Sequence, residues 1–529
     1  MTESTRTAPR IAAAGDPHRS ASLKVLLILG HPRKNSLCGA LADAYAAGAE
    51  EAGVNLKRLH VGDMTFNPNV VAGSPRNQPT EPSIAEAMEL LEWADHIVFV
   101  FPTWWGTMPA ALKGFLDRVL MPGFAFEEHE DGPGWTKLLT GRSAHLLTTM
   151  DTPPWVYRLI YRSPGLNGLA LATLGFCGIA PVRRSIFGPV KESDPQRRSR
   201  WLDAARSHGA RLRDGVLTRG ERVRNAIGSW VAAVRLQFHP MAWAAYGIGA
   251  AGAYRVTGKF DAAALWLGWL CIFCLEIATV FTNEYFDLDS DRRNRNFGPF
   301  TGGSRTLVDG RITLREMRLG IAAAIGCFLI TAVALAFVVR AIDPFLLLIA
   351  LAILAIGYTT PPLKLCWRGL GELDVALTHS TAIILCGYMF QGGSWDTPFP
   401  WLVSLPLFLS VLPAIILSGI PDYAADRAVG KRTLAVALGP RPAIRVAQAA
   451  TVLAALIAVL WQYKGVATPA FAAIGMLVVP YAILQTLLLE RFLRSGRAPG
   501  RIDGLMALSL FYIVWFVALP LWQLTQRAG

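Results

Sequence analysis

Short strand-like segments alternate with segments of helical periodicity along the first 213 residues. The first segment, 24–29, is a run of leucine and β-branched residues, and strands are predicted there and at 55–60, 96–101, 144–149 and 182–187. Helices are predicted between and after them, at 37–53, 83–94, 109–120, 165–178 and 194–213. Ser83, followed by Glu86, predicts a capping box at the second helix. The alternation predicts an α/β fold with a doubly wound parallel sheet, which binds ligands outside the carboxyl ends of its strands.

Long apolar stretches follow residue 239. Nine can be recognised, at roughly 240–257, 262–282, 320–340, 344–358, 373–391, 399–419, 443–463, 468–489 and 504–525. Each approaches the ~20 residues that a membrane-spanning helix needs, although the fourth is short. An all-α polytopic bundle of nine transmembrane helices is therefore predicted for this half of the chain.

These patterns divide the chain into four predicted parts. They are a disordered tail at 1–21, an α/β domain at 22–213, a basic linker at 214–238 and a membrane domain at 239–529. The linker interleaves arginines with Trp230, Phe238 and small apolar residues, which indicates a helix lying on the cytoplasmic leaflet.

Positive charge is unevenly distributed over the loops of the membrane half. A cytoplasmic α/β domain would place most of the loop Lys and Arg residues on the cytoplasmic side, as the positive-inside rule requires. No secretory signal is recognised before the α/β domain. The sequence therefore predicts a multi-pass protein of the cell (inner) membrane with a cytoplasmic N-terminal domain.

Composition supports this assignment. The 529 residues carry a net charge of +13, and 53% of them are hydrophobic. The mean hydropathy is +0.36. Because the basic residues cluster beside apolar stretches, the lipid bilayer is the expected partner and nucleic acid is not. The seven cysteines show no disulfide spacing, and the pair Cys271 and Cys274 is interpreted as packing within a span.

Two acidic segments follow separate apolar stretches. Asn283, Asp287 and Asp291 are spaced four apart, and Asp422 and Asp426 repeat that spacing downstream. On a helix this spacing aligns the side chains along one face. Carboxylates are preferred ligands of Mg²⁺, which commonly bridges them to substrate phosphates. The pair of segments indicates a diphosphate held by Mg²⁺; the alternative is two solvated, charged helix ends.

The acidic segments and three loops resemble the UbiA-type intramembrane prenyltransferases over roughly residues 238–525. The loops are Gly302–Arg305, Tyr358–Lys364 and Gly430–Thr433. The resemblance implies Mg²⁺-dependent transfer of a prenyl group from a prenyl diphosphate to an aromatic or quinone-type acceptor. The implied metal ligands are Asp287, Asp291, Asp422 and Asp426, assisted by Asn283. Tyr358 would stabilise an allylic cation, and the candidates for contacting the diphosphate are Arg305, Lys364, Lys431 and Arg432, each of which could instead be a topology charge.

The strand ends of the α/β half carry a different chemistry. Gly30–Ser36 follows the first strand and leads into a helix N-terminus, where backbone amides and the helix dipole favour phosphate. Pro102–Gly106, with two adjacent tryptophans, follows the third strand, and Thr148 and Thr149 end the fourth. Such loops suit a phosphate group and a planar heterocycle; core or dimer packing is the alternative for the tryptophans.

Residues 23–213 resemble the flavodoxin-like NAD(P)H:quinone oxidoreductases through these loops and through the run Pro109–Val119. The resemblance implies FMN or FAD with NAD(P)H, and allows a homodimer through this domain. His31, Ser36 and Leu37 would hold the phosphate end of the flavin. The residues that would line its ring are Pro102, Thr103, Trp104, Trp105, Gly106, Thr148 and Thr149.

The chain departs from this second family after Thr149, where it reads Met150–Pro154 in place of a glycine pair. The family's Tyr and His pair at the hydride site has no clear match, and Tyr157 or Tyr161 is the available substitute. His145 is predicted to be a core residue, and Asp117 with Arg118 an internal ion pair.

The whole sequence thus predicts a bifunctional membrane enzyme that combines prenyl transfer with flavin-dependent quinone reduction. The alternatives are a quinone reductase on an inactive membrane anchor and one joined to a transporter-like module. Acids at span ends, beside arginine-rich loops, favour the enzyme, because carriers need polar groups near the middle of the bilayer.

Overall fold

A computed structural model describes residues 23–71, 77–128, 135–214, 216, 219–294, 296–496 and 500–526. The predicted tail at 1–21 lies outside the described residues. The chain forms two compact units, Met1–Arg224 and Asn225–Gly529, each of which has its own core.

The first unit is built on a five-stranded parallel sheet, whose strands are β1 (Lys24–Leu29), β2 (Asn55–His60), β3 (His96–Pro102), β6 (Ser143–Thr149) and β7 (Val182–Phe187). Their order across the sheet is β2-β1-β3-β6-β7. All five predicted strands are therefore confirmed. The central strands β3 and β6 are buried along their whole length, as expected for strands that are covered on both faces of a parallel sheet. Two short strands, β4 (Phe126–Glu128) and β5 (Trp135–Lys137), form a separate antiparallel pair that no apolar run signals.

Helices cover both faces of this sheet. They are α1 (Leu37–Glu51), α2 (Pro82–Trp93), α3 (Ala110–Val119), α4 (Pro154–Leu159), α5 (Pro164–Asn167), α6 (Gly175–Cys177) and α7 (Pro195–Ala210). A π-helical segment, Gly168–Leu174, joins α5 to α6.

Two local predictions in the first unit were wrong. Helix α2 begins at Pro82 with Glu81 as its N-cap, so Ser83 is already helical and its hydroxyl donates to Thr65 O (2.8 Å). Pro82 suits the first helical position because its fixed φ is helical. Arg118 pairs with Glu81 (2.6 Å), whereas Asp117 pairs with Lys113 one turn back on the exposed face. The prediction that His145 is buried is confirmed.

The second unit is a helical bundle. Its helices, with α8 crossing the boundary between the units, are α8 (Arg219–Val234), α9 (His239–Thr257), α10 (Ala262–Phe286), α11 (Leu288–Arg293), α12 (Leu314–Val339), α13 (Asp343–Gly357), α14 (Gly371–Leu377), α15 (Ile383–Phe390), α16 (Pro398–Val429), α17 (Leu434–Leu438), α18 (Pro440–Lys464), α19 (Gly475–Arg494) and α20 (Asp503–Thr525). A π-helical turn, Thr378–Ala382, makes α14 and α15 continuous.

Seven helices among the described residues are long and apolar enough to cross a membrane, so the chain is a multi-pass membrane protein. They are α10, α12, the segment Gly371–Phe390, α16, α18, α19 and α20. The predicted number of nine is not confirmed. The two further predicted stretches form α9, which is not among the seven, and α13, which has only 15 residues.

Close packing of small residues holds the bundle together. A side chain at Gly249 of α9 would lie 2.0 Å from Ile384 O, and one at Gly387 of α15 would lie 2.1 Å from Tyr246 O. Such contacts replace the hydrophobic driving force that is missing between helices in lipid. They fix the helices around a central cavity.

Candidate active sites

The two acidic segments meet at one cavity of about 330 Å³ in the helical unit. Helix α10 ends at Phe286 with Asp287 as its cap, and α16 carries the second segment near its own C-terminal end. The predicted residues that line this cavity are Asn283, Asp287, Asp291, Tyr358, Asp422, Asp426 and Lys431. Both acidic segments therefore face the same space.

Hydrogen bonds join the segments directly. Ser290 Oγ donates to Asp426 Oδ1 (2.6 Å), and Asn294 Nδ2 donates to Asp422 Oδ1 (2.5 Å). Thr301 Oγ1 donates to Asp422 as well. Short α11 thus holds the end of α16 against the end of α10. The partners Ser290, Asn294 and Thr301 were missed from the sequence, because single hydroxyl and amide residues carry no spacing signal.

Lys431 stands between the two segments. Its Nζ lies 2.9 Å from Asp287 Oδ2 and 3.7 Å from Asp426 Oδ1. Burial acts to lower the pKa of this ammonium, but the carboxylates of Asp287 and Asp426 outweigh that effect and hold the pKa well above its ordinary value. The side chain is therefore a fixed positive charge at the acidic rim.

Asp291 lies in the most crowded part of the acidic rim. Burial and the neighbouring carboxylates of Asp287 and Glu284 raise its pKa to about 8. A side chain at Gly303, where φ is +67°, would lie 2.3 Å from Asp291 Oδ2. Glycine at this position therefore lets the loop approach the carboxylate. Glu284, which accepts hydrogen bonds from Ser304, was missed although it adjoins the acidic segment.

The donor set fits Mg²⁺ shared with a phosphate. Asp287 Oδ1 is buried and has no hydrogen-bond partner among the described residues. Within those residues no three His, Cys, Asp or Glu side chains converge into a closed cage. Mg²⁺ usually keeps water and substrate phosphate as ligands and needs only one or two carboxylates. An open acidic rim with an unpartnered carboxylate oxygen meets that requirement.

Other predicted residues fall into two groups. Asn283 Oδ1 accepts a hydrogen bond from Thr359 Oγ1 (2.8 Å), and Tyr358, the preceding residue, lines the cavity. Among the described residues, the cavity wall includes Lys431 but not Arg305, Lys364 or Arg432. Arg305 instead stacks on Phe297 and donates to Asp291 O (3.0 Å).

Lys364 and Arg432 have other surroundings. The Lys364 ammonium lies 4.8 Å from the centre of the Trp367 ring. Arg432 is exposed, and its backbone forms a β-bridge with Arg368.

In the first unit, the predicted ligand loops lie at the carboxyl ends of adjacent strands. His31 follows β1 and is buried, which lowers its pKa, and its Nδ1 accepts from Arg33 N–H (2.9 Å). Ser36 caps α1 by accepting from Gly39 N–H (3.1 Å). Leu37 is the first helical residue. The first amides of α1 thus have no intrahelical acceptor and suit an anion.

The ends of β3 and β6 face each other in register, with Pro102 opposite Thr149. Thr103 Oγ1 and Thr148 Oγ1 lie 2.7 Å apart. After them the chain turns through Trp105 (φ +50°) and Gly106 (φ +78°). Trp104 and Trp105 are exposed, so a turn beside the strand ends presents two aromatic rings. This arrangement fits a planar ring that extends from a phosphate at α1.

Tyr157 and Tyr161 have different surroundings. Tyr157 is buried, and its hydroxyl donates to Gly106 O (2.9 Å). Burial raises its pKa. Tyr161 is exposed. Tyr157 therefore stabilises the turn at residues 104–106, called the tryptophan turn below, through this hydrogen bond.

Comparisons with known proteins match the two halves of the chain separately. A flavodoxin-like fold family matches residues 23–208, and the UbiA prenyltransferase family matches residues 241–498. An uncharacterized NAD(P)H oxidoreductase of Haemophilus influenzae is 30% identical over 186 residues, which are 34% of this chain and 91% of that protein. A ribosyldihydronicotinamide dehydrogenase [quinone] of Rattus norvegicus is 29% identical and covers 35% of this chain and 92% of that protein.

Two solved structures are each similar to a part of the chain. Smu.1420 from Streptococcus mutans is 25% identical and covers 36% of this chain and 99% of its own, with a TM-score of 0.33. A UbiA homolog from Archaeoglobus fulgidus bound to GPP and Mg²⁺ is 19% identical and covers 55% of this chain and 99% of its own, with a TM-score of 0.41.

The protein is therefore an enzyme of two joined classes, an oxidoreductase and an intramembrane transferase. Residues 23–208 belong to the flavodoxin-like NAD(P)H quinone oxidoreductases, and residues 241–498 belong to the UbiA prenyltransferase family.

Proposed function

We propose that the membrane half transfers a prenyl group from a prenyl diphosphate to an aromatic hydroquinone-type acceptor with Mg²⁺, and that the N-terminal half reduces quinones with NAD(P)H and a bound flavin. The observation that carries the first activity is the shared cavity: two acidic segments and Lys431 form its rim, and aliphatic side chains form much of the remaining wall. A diphosphate suits the rim, and a prenyl chain suits the wall.

Each residue at the rim has a task in this proposal. Asp287, Asp291, Asp422 and Asp426 would hold Mg²⁺, assisted by Asn283. The chemistry supplied by bound Mg²⁺ is Lewis-acid stabilisation of the leaving diphosphate. Lys431 adds a fixed positive charge for the departing oxygens. Arg305, Lys364 and Arg432 stay candidates for contacting the diphosphate, although they lie outside the described wall of the cavity.

The rest of the wall protects the reacting carbon. Loss of diphosphate leaves an allylic cation, which water would capture. Leu351, Leu407 and Val411 line the cavity and keep water away from that carbon. Tyr358 offers a ring face to the cation.

The N-terminal proposal uses the strand-end loops. His31, Ser36 and Leu37 receive the flavin phosphate at the start of α1, while Thr148, Thr149 and the turn Pro102–Gly106 bracket the ring. The chemistry supplied by bound FMN or FAD is the passage of two electrons from NAD(P)H to a quinone. A hydroquinone is a nucleophilic aromatic and a quinone is not, so the first half would make an acceptor for the second or reduce its product.

Placement in the membrane is part of the proposal. With domains at 22–213 and 239–529, α9 and α13 would join the seven qualifying helices to give nine spans in the cell (inner) membrane. This number leaves the N-terminal domain and both acidic segments on the cytoplasmic side. The linker helix α8 would lie along that leaflet, with Trp230 packed against Phe281 (5.3 Å).

A pair of matched variants tests the two activities. Asp287→Asn should lower Mg²⁺-dependent transfer from geranyl diphosphate at least about a hundredfold and leave NAD(P)H oxidation unchanged. Asp289→Asn is the control, because Asp289 lies on neighbouring α11 but is exposed and outside the described cavity wall. If Asp287→Asn and the wild type transfer equally well, the acidic rim is not the site. If neither transfers while NAD(P)H is oxidised, the membrane half is an anchor or a transporter-like module.

Coupling needs its own assay. Purified protein is given a quinone, geranyl diphosphate and Mg²⁺, with or without NAD(P)H, and prenylated hydroquinone is measured by chromatography. Product should form faster with NAD(P)H. Equal rates would mean that the two halves act separately.

A further inference from the structure

A largely buried acid, with 11% of its side chain exposed, lies in the same cavity wall, eleven residues before Asp287 in the chain. Glu276 is in the middle of α10, and its Oε2 is 2.9 Å from His239 Nδ1 and accepts a hydrogen bond from Trp243 Nε1 (3.2 Å). Glu276 and His239 both line the cavity. An ionisable side chain inside a membrane helix is costly and usually serves a function. The acidic rim does not account for this one.

The hydrogen bonds fix the proton content of the pair. His239 Nε2 is 2.8 Å from Val234 O, a carbonyl, so Nε2 carries a hydrogen. A hydrogen bond between Nδ1 and Glu276 then requires one further proton, on either the ring or the carboxyl group. The pair therefore holds one shared proton, and the Trp243 N–H stabilises the same carboxylate oxygen.

The other oxygen of Glu276 has no such partner. Oε1 is buried, and no described residue forms a hydrogen bond with it. Leaving a buried carboxylate oxygen without a hydrogen-bond partner is energetically costly. Because Glu276 lies in the cavity wall, a ligand in the cavity is the natural source of a donor. That ligand must offer an O–H or N–H group and otherwise tolerate apolar neighbours such as Ile272, Leu275 and Ile513.

The position along α10 relates this oxygen to the acidic rim. Glu276 and Asp287 are three helical turns apart, so both lie on one face of the helix and are separated by about 16 Å. A diphosphate ester at the rim followed by a phenolic ring has about that length. The ring would then present its hydroxyl to Glu276 and its neighbouring carbon to the prenyl group.

We propose that Glu276 is a catalytic residue that binds the hydroxyl group of the aromatic acceptor through Oε1 and takes its proton. His239 and Trp243 are positioning residues that hold the other oxygen. This inference rests on the proposed prenyl transfer and adds the acceptor's chemical class, an aromatic with a free hydroxyl next to the carbon that is alkylated.

Every bond and proton in the proposed reaction is accounted for by the prenyl diphosphate, the acceptor and Glu276. The C–O bond of the prenyl diphosphate breaks, and diphosphate leaves with the electron pair. As the ring carbon forms its bond to the prenyl carbon, Glu276 takes the hydroxyl proton and the ring becomes a ketone. Loss of the proton on the alkylated ring carbon and return of the Glu276 proton to the oxygen restore the aromatic hydroxyl. One proton is released with each diphosphate.

Glu276→Gln tests this assignment with phenolic acceptors and their methyl ethers. One- and two-ring hydroquinones, each with its dimethyl ether, are assayed with geranyl diphosphate and Mg²⁺. The variant should lose about ten- to a hundredfold in kcat/KM on the free hydroquinone, the range for a hydrogen bond to a charged group, with no comparable loss on the ether. Trp243→Phe should show a smaller loss of the same kind. Glu490→Gln is the matched control, because Glu490 pairs with Arg445 and Arg494 outside the described wall of this cavity.

The outcomes separate the two proposals. Geranyl diphosphate binding, followed by calorimetry, should match between Glu276→Gln and the wild type, and this shows that the variant is folded. Equal losses on hydroquinone and ether, or no loss on either, would overturn the role of Glu276 while leaving prenyl transfer standing. Wild-type protein that alkylates no hydroquinone would overturn the proposed function, and this inference with it.

Discussion

Single residues show where sequence patterns were informative and where they were silent. The four aspartates and Asn283 share a spacing that only a helix face explains, so their convergence could be predicted. Glu284 and Glu276 carry no spacing partner of their own. Glu276 nevertheless had a usable signal, since it is a carboxylate within an otherwise apolar stretch, where charge is costly.

Gly303 offers a test of loop placement at the acidic rim. Gly303→Ala would combine strain at φ +67° with a contact of 2.3 Å to Asp291 Oδ2, and should lower prenyl transfer about tenfold or more because the carboxylate must move. Gly258→Ala is the control, since it has a φ of +68° and no described atom lies within 4 Å of its added carbon. Equal transfer rates in both variants would show that the contact with Asp291 is unimportant.

His96 makes the stability of the first unit depend on pH. Burial, chiefly, lowers its pKa to about 3, and its Nδ1 lies 2.8 Å from Ser143 Oγ. The unfolded chain binds a proton near pH 6.5 that the folded domain does not bind. The free energy of unfolding should therefore fall below about pH 6.5, by about 1.4 kcal/mol per pH unit from this residue, until about pH 3.

Pulse proteolysis in urea at pH 7 and pH 5.5 measures this dependence on the full-length protein. His96→Gln should lose less stability over this interval than the wild type, by about 1.3 kcal/mol in total, because the effect develops mainly below pH 6.5. Identical losses would mean that His96 does not titrate in this way.

At the scale of elements, β1 and β3 were predictable as apolar runs, whereas β2 (NLKRLH) and β7 (VRRSIF) contain several charged residues and were predictable from the alternation of strands with helices. The small pair β4 and β5 was not, since three-residue strands show no period. The start of α2 was misassigned because the capping-box pattern competes with Pro82, whose ring already fixes the first helical turn. The spans were predicted by length, but α13 is too short to qualify by itself.

The pair Glu81 and Arg118 ties α2 to α3 and can be tested by removing one partner. Arg118 is fully buried and also donates to Asn67 O and Pro79 O. Glu81→Ala should destabilise the unit by about 3 kcal/mol, because it leaves a buried guanidinium without a carboxylate. Asp117→Ala should cost under about 1 kcal/mol, since its pair with Lys113 is exposed. The urea midpoints of unfolding of the two variants are compared. A larger loss of stability in Asp117→Ala than in Glu81→Ala would favour the originally predicted ion pair between Asp117 and Arg118.

At the scale of the whole molecule, a group of exposed apolar side chains on the first unit is expected to be buried at an interface. Exposed Trp155, Leu159, Ile160 and Tyr161 follow Pro154 near the tryptophan turn, to which Tyr157 is hydrogen-bonded. We expect a second copy of this unit to cover the patch, because exposed apolar patches of this kind mark interfaces.

Leu159→Glu should convert dimer to monomer in detergent, as measured by analytical ultracentrifugation. Val71→Glu is the control, because Val71 is similarly exposed but lies in the segment between β2 and α2, away from α4 in the sequence. A wild-type monomer, or a Leu159→Glu dimer, would contradict the proposed homodimer.

In the proposed reaction, Glu276 on α10 contacts the acceptor, and Asp287, which caps the same helix, lies at the acidic rim. Because one rigid helix joins these two residues, the distance between them does not change when loops change or neighbouring spans tilt. A larger or smaller acceptor would need the carboxylate to be placed one helical turn earlier or later on α10. Moving Glu276 to position 272 or 280 is therefore a route to altering which ring carbon becomes alkylated.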